Sequence, residues 1–125
     1  MKLIENAEIA HHRAELLDGM TGYMIDCATN SEFGACYTQA NIDQCDRILD
    51  AFLTALDSES RPAAPEKIGA IVKLAVLALN VLNDECEGNL IETDQREHLC
   101  DIFMSAANKT GLNIDADITE AWREW

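Results

Sequence analysis

Apolar residues along this chain recur mostly at spacings of three and four, the period of a helix with one buried face. Leu3, Ala7, Ala10, Ala14 and Leu17 form the first such stripe, with Glu5, Glu8, His12 and Glu15 mainly on the other faces. The spacing predicts a helix over about 3–17, broken or bent by Gly19 and Gly22. Met20, Met24, Cys27 and Ala28 suit a short helical face, and Asn30, Ser31 and Gly34 suit a stop and a loop. A clearer element begins at Asn41, a candidate N-cap with Gln44 three residues later as its reciprocal partner. Ile42, Cys45, Ile48, Leu49, Phe52, Leu53 and Leu56 then make a wide apolar face that ends near Asp57.

Pro65 suits the first position of the next helix, where its missing N–H is harmless, and Glu66 suits the dipole there. From Ile68 to Leu82 that helix is apolar almost all round, which predicts burial by neighbours on every side. Residues 65–84 are therefore expected to be the central helix, ended by Gly88 or Asn89 in a left-handed turn. Thr93 is a candidate N-cap for a further helix with Leu99, Ile102, Phe103, Ala106 and Ala107 inside and Gly111 as its C-cap. Asp117 and Glu120 suggest a capping box for a two-turn terminal helix carrying Trp122 and Trp125. The fold class expected is all-α: an irregular bundle of about five helices around residues 65–84, with residues 1–125 as a single helical domain.

Composition agrees. Ala occurs 17 times and Val 3 times, a balance that favours helix over strand. Leu, Ile, Val and Phe make up 30 of the 125 residues, above the level of acidic disordered chains, so a core can form. The longest aliphatic run, Leu74 to Leu79, is far short of the ~20 residues of a membrane span, and residues 1–8 lack a signal-peptide core. The five cysteines include no CxxC pair, which argues against structural zinc. Reduced, mostly buried thiols in a cytoplasmic protein are expected, with the even spacing of Cys27, Cys36 and Cys45 taken as chance.

Chemical motifs are sparse. Glu8 and His11 form an ExxH pattern, but a di-iron bundle needs a second copy, and Gln95 stands where His98 would require Glu. Asn113, Asp115, Asp117 and Glu124 mimic an EF-hand loop, but Ile118 occupies the position that needs glycine. Cys100 and His98 are neighbours that point apart on a helix, and no GxSxG, P-loop or GxGxxG occurs. No cofactor, metal or catalytic residue is assigned, and the chain is expected not to be an enzyme.

Charge is the informative feature. Nine Lys and Arg against 23 Asp and Glu give a formal net charge of −14, which repels nucleic-acid backbones. Residues 14–46 hold six acids and no Lys or Arg, and residues 74–95 hold five acids and no Lys or Arg. The second stretch places its acids at a helix end, a loop and the next helix start, and Glu97 and Asp101 continue along one side of that helix. The candidate partner-binding residues are therefore Glu85, Glu87, Glu92, Asp94, Glu97 and Asp101. A focused negative field of this kind speeds encounter with a basic partner. A solvated acidic surface that keeps the protein soluble explains the same charges.

The stretch Leu82-Asn83-Asp84-Glu85-Cys86 through Leu90-Ile91-Glu92-Thr93-Asp94-Gln95-Arg96-Glu97, followed by Asp117-Ile118-Thr119-Glu120-Ala121-Trp122-Arg123-Glu124-Trp125, resembles small helical bacterial immunity proteins. Those are encoded beside secreted toxin domains, including toxins of contact-dependent growth inhibition. The resemblance covers about a third of the chain. It implies a cytoplasmic antitoxin that binds a cognate toxin, in many cases a basic nuclease, and blocks its active site. The alternative is a helical adaptor or regulatory module with a basic non-toxin partner, and a third is a small metal-dependent enzyme on a bundle. Neither of the first two implies direct contact with nucleic acid or membrane.

Overall fold

A computed structural model of the chain describes residues 2–29, 37–113 and 115–125. A 3-10 turn at Leu3–Glu5 precedes four helices: α1 (Ala7–Thr29), α2 (Gln39–Asp57), α3 (Pro65–Glu85) and α4 (Thr93–Thr110). No strand occurs among the described residues. The chain is all-helical there, with four α-helices where about five were expected.

The helices pack as two pairs, α1 against α4 and α2 against α3, and α2 also touches α1 and α4. The pairs share one apolar core. Its largest fully buried members include Leu16 and Met20 of α1, Phe52 and Leu53 of α2, Leu79 of α3 and Leu99 and Phe103 of α4. The Phe52 and Phe103 rings meet at 4.6 Å between centroids, a tilted contact that joins the two pairs. Tyr37 is buried just before α2 and donates its hydroxyl to the Met20 carbonyl at 2.9 Å. Burial pushes its pKa up to about 12.

Several ends fall where expected. Pro65 opens α3, and Gly111 follows α4 with a φ of +126°. After α3 the turn is left-handed at both Glu87 and Gly88, and the Gly88 N–H returns to the Asn83 carbonyl at 2.8 Å. The caps of α2 and α4 each lie earlier than expected. Thr38 precedes α2, and its N–H is donated to the Asn41 side chain at 2.8 Å, so Asn41 is the reciprocal member rather than the cap. Glu92 caps α4, with Thr93 as its first residue and Gln95 accepting the Glu92 N–H at 3.1 Å.

Three expectations are corrected. The first helix does not break at its glycines: α1 runs through Gly19 and Gly22 to Thr29. Its buried residues are Ile9, Leu16 and Met20, while Ala7, Ala10 and Ala14 are exposed. A methyl loses little by facing water, so the bulkier side chains choose the face. Gly19 has a packing reason: a Cβ there would lie 3.1 Å from the buried Gln95 side chain of α4. The loop expected at Asn30, Ser31 and Gly34 lies outside the described residues.

Secondly, α3 is not central. It packs chiefly on α2, and its outer face leaves Leu74, Leu77 and Val81 at 74 %, 42 % and 58 % exposure. Its apolar surroundings therefore do not close around it. Thirdly, the terminal segment forms overlapping hydrogen-bonded turns and no helix. Asp117 accepts the Thr119 N–H at 2.9 Å and the Thr119 hydroxyl at 2.6 Å, and the Arg123 N–H reaches the Thr119 carbonyl at 2.9 Å. The next turn would need the Glu124 N–H to donate to Glu120. It donates instead to the buried Asn80 side chain at 3.1 Å, and Asn80 Nδ2 donates to the Trp122 carbonyl at 2.8 Å. A segment this short cannot repay helix nucleation alone, so the competing contact from α3 decides its path. Trp122 and Trp125 still pack against the core, as partly buried residues.

Candidate partner-binding surface

The six acids singled out by charge are all exposed. Glu85 ends α3, Glu87 stands in the left-handed turn, and Glu92 caps α4. Asp94, Glu97 and Asp101 follow at spacings of three and four on α4, which places them along one face over about 10 Å of helix. The acids thus form a path across the α3–α4 connection and down the outside of α4.

They are not equivalent. The Glu92 carboxylate takes part in a capping box and accepts a backbone N–H of the first turn of α4. Asp94 lies in that same turn, where the helix dipole favours negative charge. Asp101 Oδ2 lies 3.8 Å from His12 Nδ1 of α1. The place of Asp94 in the first turn of α4 is legible in the sequence, whereas the Asp101–His12 contact depends on which atoms the fold brings within reach. Glu87 and Glu97 carry the least structural duty and are the cleanest probes of the surface.

In the earlier base-free stretch Glu15, Asp18 and Asp26 are exposed, Glu32 lies outside the described residues, and Asp43 and Asp46 are engaged by neighbours. Arg13, on α1 just before it, reaches across to α2. Its guanidinium lies 2.6 Å from Asp46 and 2.7 Å from Asp50, and it also donates to the Asp46 carbonyl at 3.2 Å. Burial alone would lower the Arg13 pKa, but the two carboxylates outweigh it and raise the pKa further. Asp43 accepts from Gln39 one turn earlier. At Asp46 the lack of bases between residues 14 and 46 is thus a property of the sequence order and not of the space around the carboxylate.

The motif candidates separate in space. Glu8 lies 3.3 Å from Lys109 Nζ, and His11 is exposed, so the two halves of the ExxH pattern face different partners. His12, not His11, meets His98: their Nδ1 atoms are 3.3 Å apart, which leaves room for one proton between them. Cys100 turns away from His98, towards Thr119 at 3.8 Å and Asp117 at 4.0 Å, and burial raises its pKa. The Asp117 carboxylate is occupied by Thr119 and by Arg123 at 3.1 Å, so the EF-hand mimic is a local turn. Ser105 borders the polar depression between α1 and α4 with Glu8, His12 and Asp101, but its hydroxyl is sealed from solvent without a partner. Among the described residues no three His, Cys, Asp or Glu side chains gather as a metal site.

The cysteines require a further correction. Cys45, Cys86 and Cys100 are free thiols, but Cys27, near the end of α1, is disulfide-bonded. The expectation of uniformly reduced thiols does not hold there. Cys45 is fully buried, and burial pushes its pKa up to about 12, so it is a packing residue rather than a nucleophile. No described helix is long and apolar enough to cross a membrane.

Compared with known protein families, curated proteins and solved structures, the chain matches none.

Proposed function

We propose that this protein is a binding module of the immunity type, which neutralises a basic toxin domain by covering it with an acidic surface. The observation that carries the reading is the exposed run of Glu85, Glu87, Glu92, Asp94, Glu97 and Asp101 across one helix junction, in a chain of net charge −14. Such a surface pairs with the Lys and Arg that a nuclease uses to hold phosphates. It attracts a basic protein at long range and fixes its register at contact. The resemblance of the C-terminal third to immunity proteins supplies the partner class.

The test is co-purification with the product of the neighbouring reading frame, followed by Glu87→Lys and Glu97→Lys together. Association should slow by roughly tenfold at low salt and lose much of its salt dependence. An unchanged rate and affinity would place the interface elsewhere. An adaptor for a non-toxin partner would use the same acids, and the identity of the captured neighbour decides between the two.

An immunity function places the protein in the cytoplasm, where glutathione keeps thiols reduced. The disulfide at Cys27 would then be reduced in the cell, and Cys27 should be open to alkylation when cells are lysed in a trapping reagent. A Cys27 that stays blocked until reductant is added would move the protein to an oxidising compartment, as its disulfide suggests.

A further inference from the structure

The outer face of α3 has an order that the acidic-surface reading does not use. Lys67, Ala70, Leu74, Leu77, Val81 and Asp84 are all exposed and follow at spacings of three, four, three, four and three. This is a strict heptad seam, the narrow pattern of helices that pair with one another. The opposite side of α3, including Ile68, Val72, Val76 and Leu79, is buried in the core, so the seam faces outward.

The seam is its own complement when reversed. Laid antiparallel against a second copy, Lys67 faces Asp84, the small Ala70 faces the branched Val81, and Leu74 faces Leu77. Two-fold symmetry repeats each pair. A parallel arrangement would instead set Lys67 against Lys67 and Asp84 against Asp84, which like charges oppose. Lys73 flanks the seam, so the strip is not acidic although the whole chain is. Beside Leu74 an apolar cleft of about 150 Å³, lined also by Ala51, Ala55, Ile71 and Ala78, widens the apolar strip towards α2.

We infer that α3 is the interface of an antiparallel homodimer, held by the Leu74–Leu77 centre and specified by Lys67–Asp84 pairs at its ends. One helix pair about 30 Å long lies at the low end of interface sizes, so a dimer in exchange with monomer is expected.

Sedimentation equilibrium tests this in about 0.15 M salt, where repulsion between the two anionic chains is largely screened. With concentration, the mass should rise from that of the 13.8 kDa chain towards twice that value. Leu74→Asp should hold it at monomer without loss of helicity, because this side chain is already 74 % exposed. Lys67→Glu alone should weaken the dimer by roughly threefold to tenfold. Lys67→Glu with Asp84→Lys should restore it. Lys67 also lies 3.6 Å from Glu59 of its own chain, but relief of that contact could not produce rescue through Asp84. A monomer at all concentrations, a dimer indifferent to Leu74→Asp, or failure of the double variant to recover would each overturn the inference.

Discussion

Gly111→Ala tests the junction that closes the helix pairs. Gly111 has φ +126° and ψ 4°, outside the small left-handed region that other residues can enter. A Cβ there would stand 2.8 Å from Pro62 Cβ, 3.1 Å from Pro62 Cα and 3.4 Å from the Ala63 nitrogen. These are ring and backbone atoms that cannot rotate away. The strand of chain they belong to is tied down, since the Ala63 N–H is donated to the Thr110 carbonyl at 2.9 Å. On the other side the Leu112 N–H is held by the Ala107 carbonyl at 3.1 Å. The strained backbone costs about 1–2 kcal/mol and the overlap about 1–3 kcal/mol, so a loss of about 2–5 kcal/mol is expected. Urea unfolding followed by circular dichroism reads this as a midpoint lowered by roughly 1–3 M. Gly22→Ala is the internal contrast. It lies inside α1 with nothing within 4 Å of an added Cβ, so it should stabilise by about 0.5–1 kcal/mol. Equal midpoints for the two variants, or a Gly111→Ala loss below about 0.5 kcal/mol, would refute the packing argument.

The Asp57 carboxylate accepts the Leu3 N–H at 2.7 Å and pairs with Arg61 at 2.8 Å while only 10 % exposed, so Asp57→Ala should lose about 1.5–3 kcal/mol. The same change should speed hydrogen exchange at Leu3 and Ile4 before the rest of the chain. Asn80→Ala removes both side-chain bonds to the terminal turn, and should red-shift tryptophan emission by exposing Trp122 and Trp125 with about 1–3 kcal/mol of lost stability. An emission spectrum like the parent's would show that the indoles hold the segment without Asn80. Burial would raise the Asp117 pKa, but hydrogen bonds from Thr119 and the Arg123 contact lower it below the ordinary 3.8. A depressed folded value contributes stability that is present above the unfolded pKa and lost as pH falls through the folded one. Unfolding midpoints between about pH 5 and pH 2 should therefore fall less steeply for Asp117→Asn than for the parent, and parallel curves would remove Asp117 from the acid response.

Much of the fold could be read from local chemistry. Pro65 and Gly111 marked helix ends because each acts through its own backbone. Misreadings arose where a tertiary contact outranked a local preference. Alanines at helical spacing in α1 suggested a buried face, yet Ile9, Leu16 and Met20 took it. The capping chemistry of Asp117 began a turn, and Asn80, 37 positions earlier, redirected the chain after it. In α3 an apolar sequence suggested neighbours all round, but α4 packs on α1 and leaves one side of α3 bare.

The candidate surface was legible to the same degree and for the same reason. Counting acids along the chain singled out the carboxylates between Glu85 and Asp101, which are exposed where helix end, turn and helix start follow one another. It could not show that Arg13 holds Asp46 and Asp50 from another helix, or that Glu92 serves the backbone of α4. Of the acids without such a role, Glu87 and Glu97 lie off α3 and share no position with its seam. Binding a basic partner and pairing through α3 are therefore separable by substitution. Leu74→Asp should make the protein monomeric and leave the rate of partner capture per chain unchanged, while Glu87→Lys with Glu97→Lys should slow capture and leave the dimer intact. If either change moved both measurements together, the two surfaces would be one, and the acids of the α3–α4 junction would belong to the dimer rather than to a basic partner.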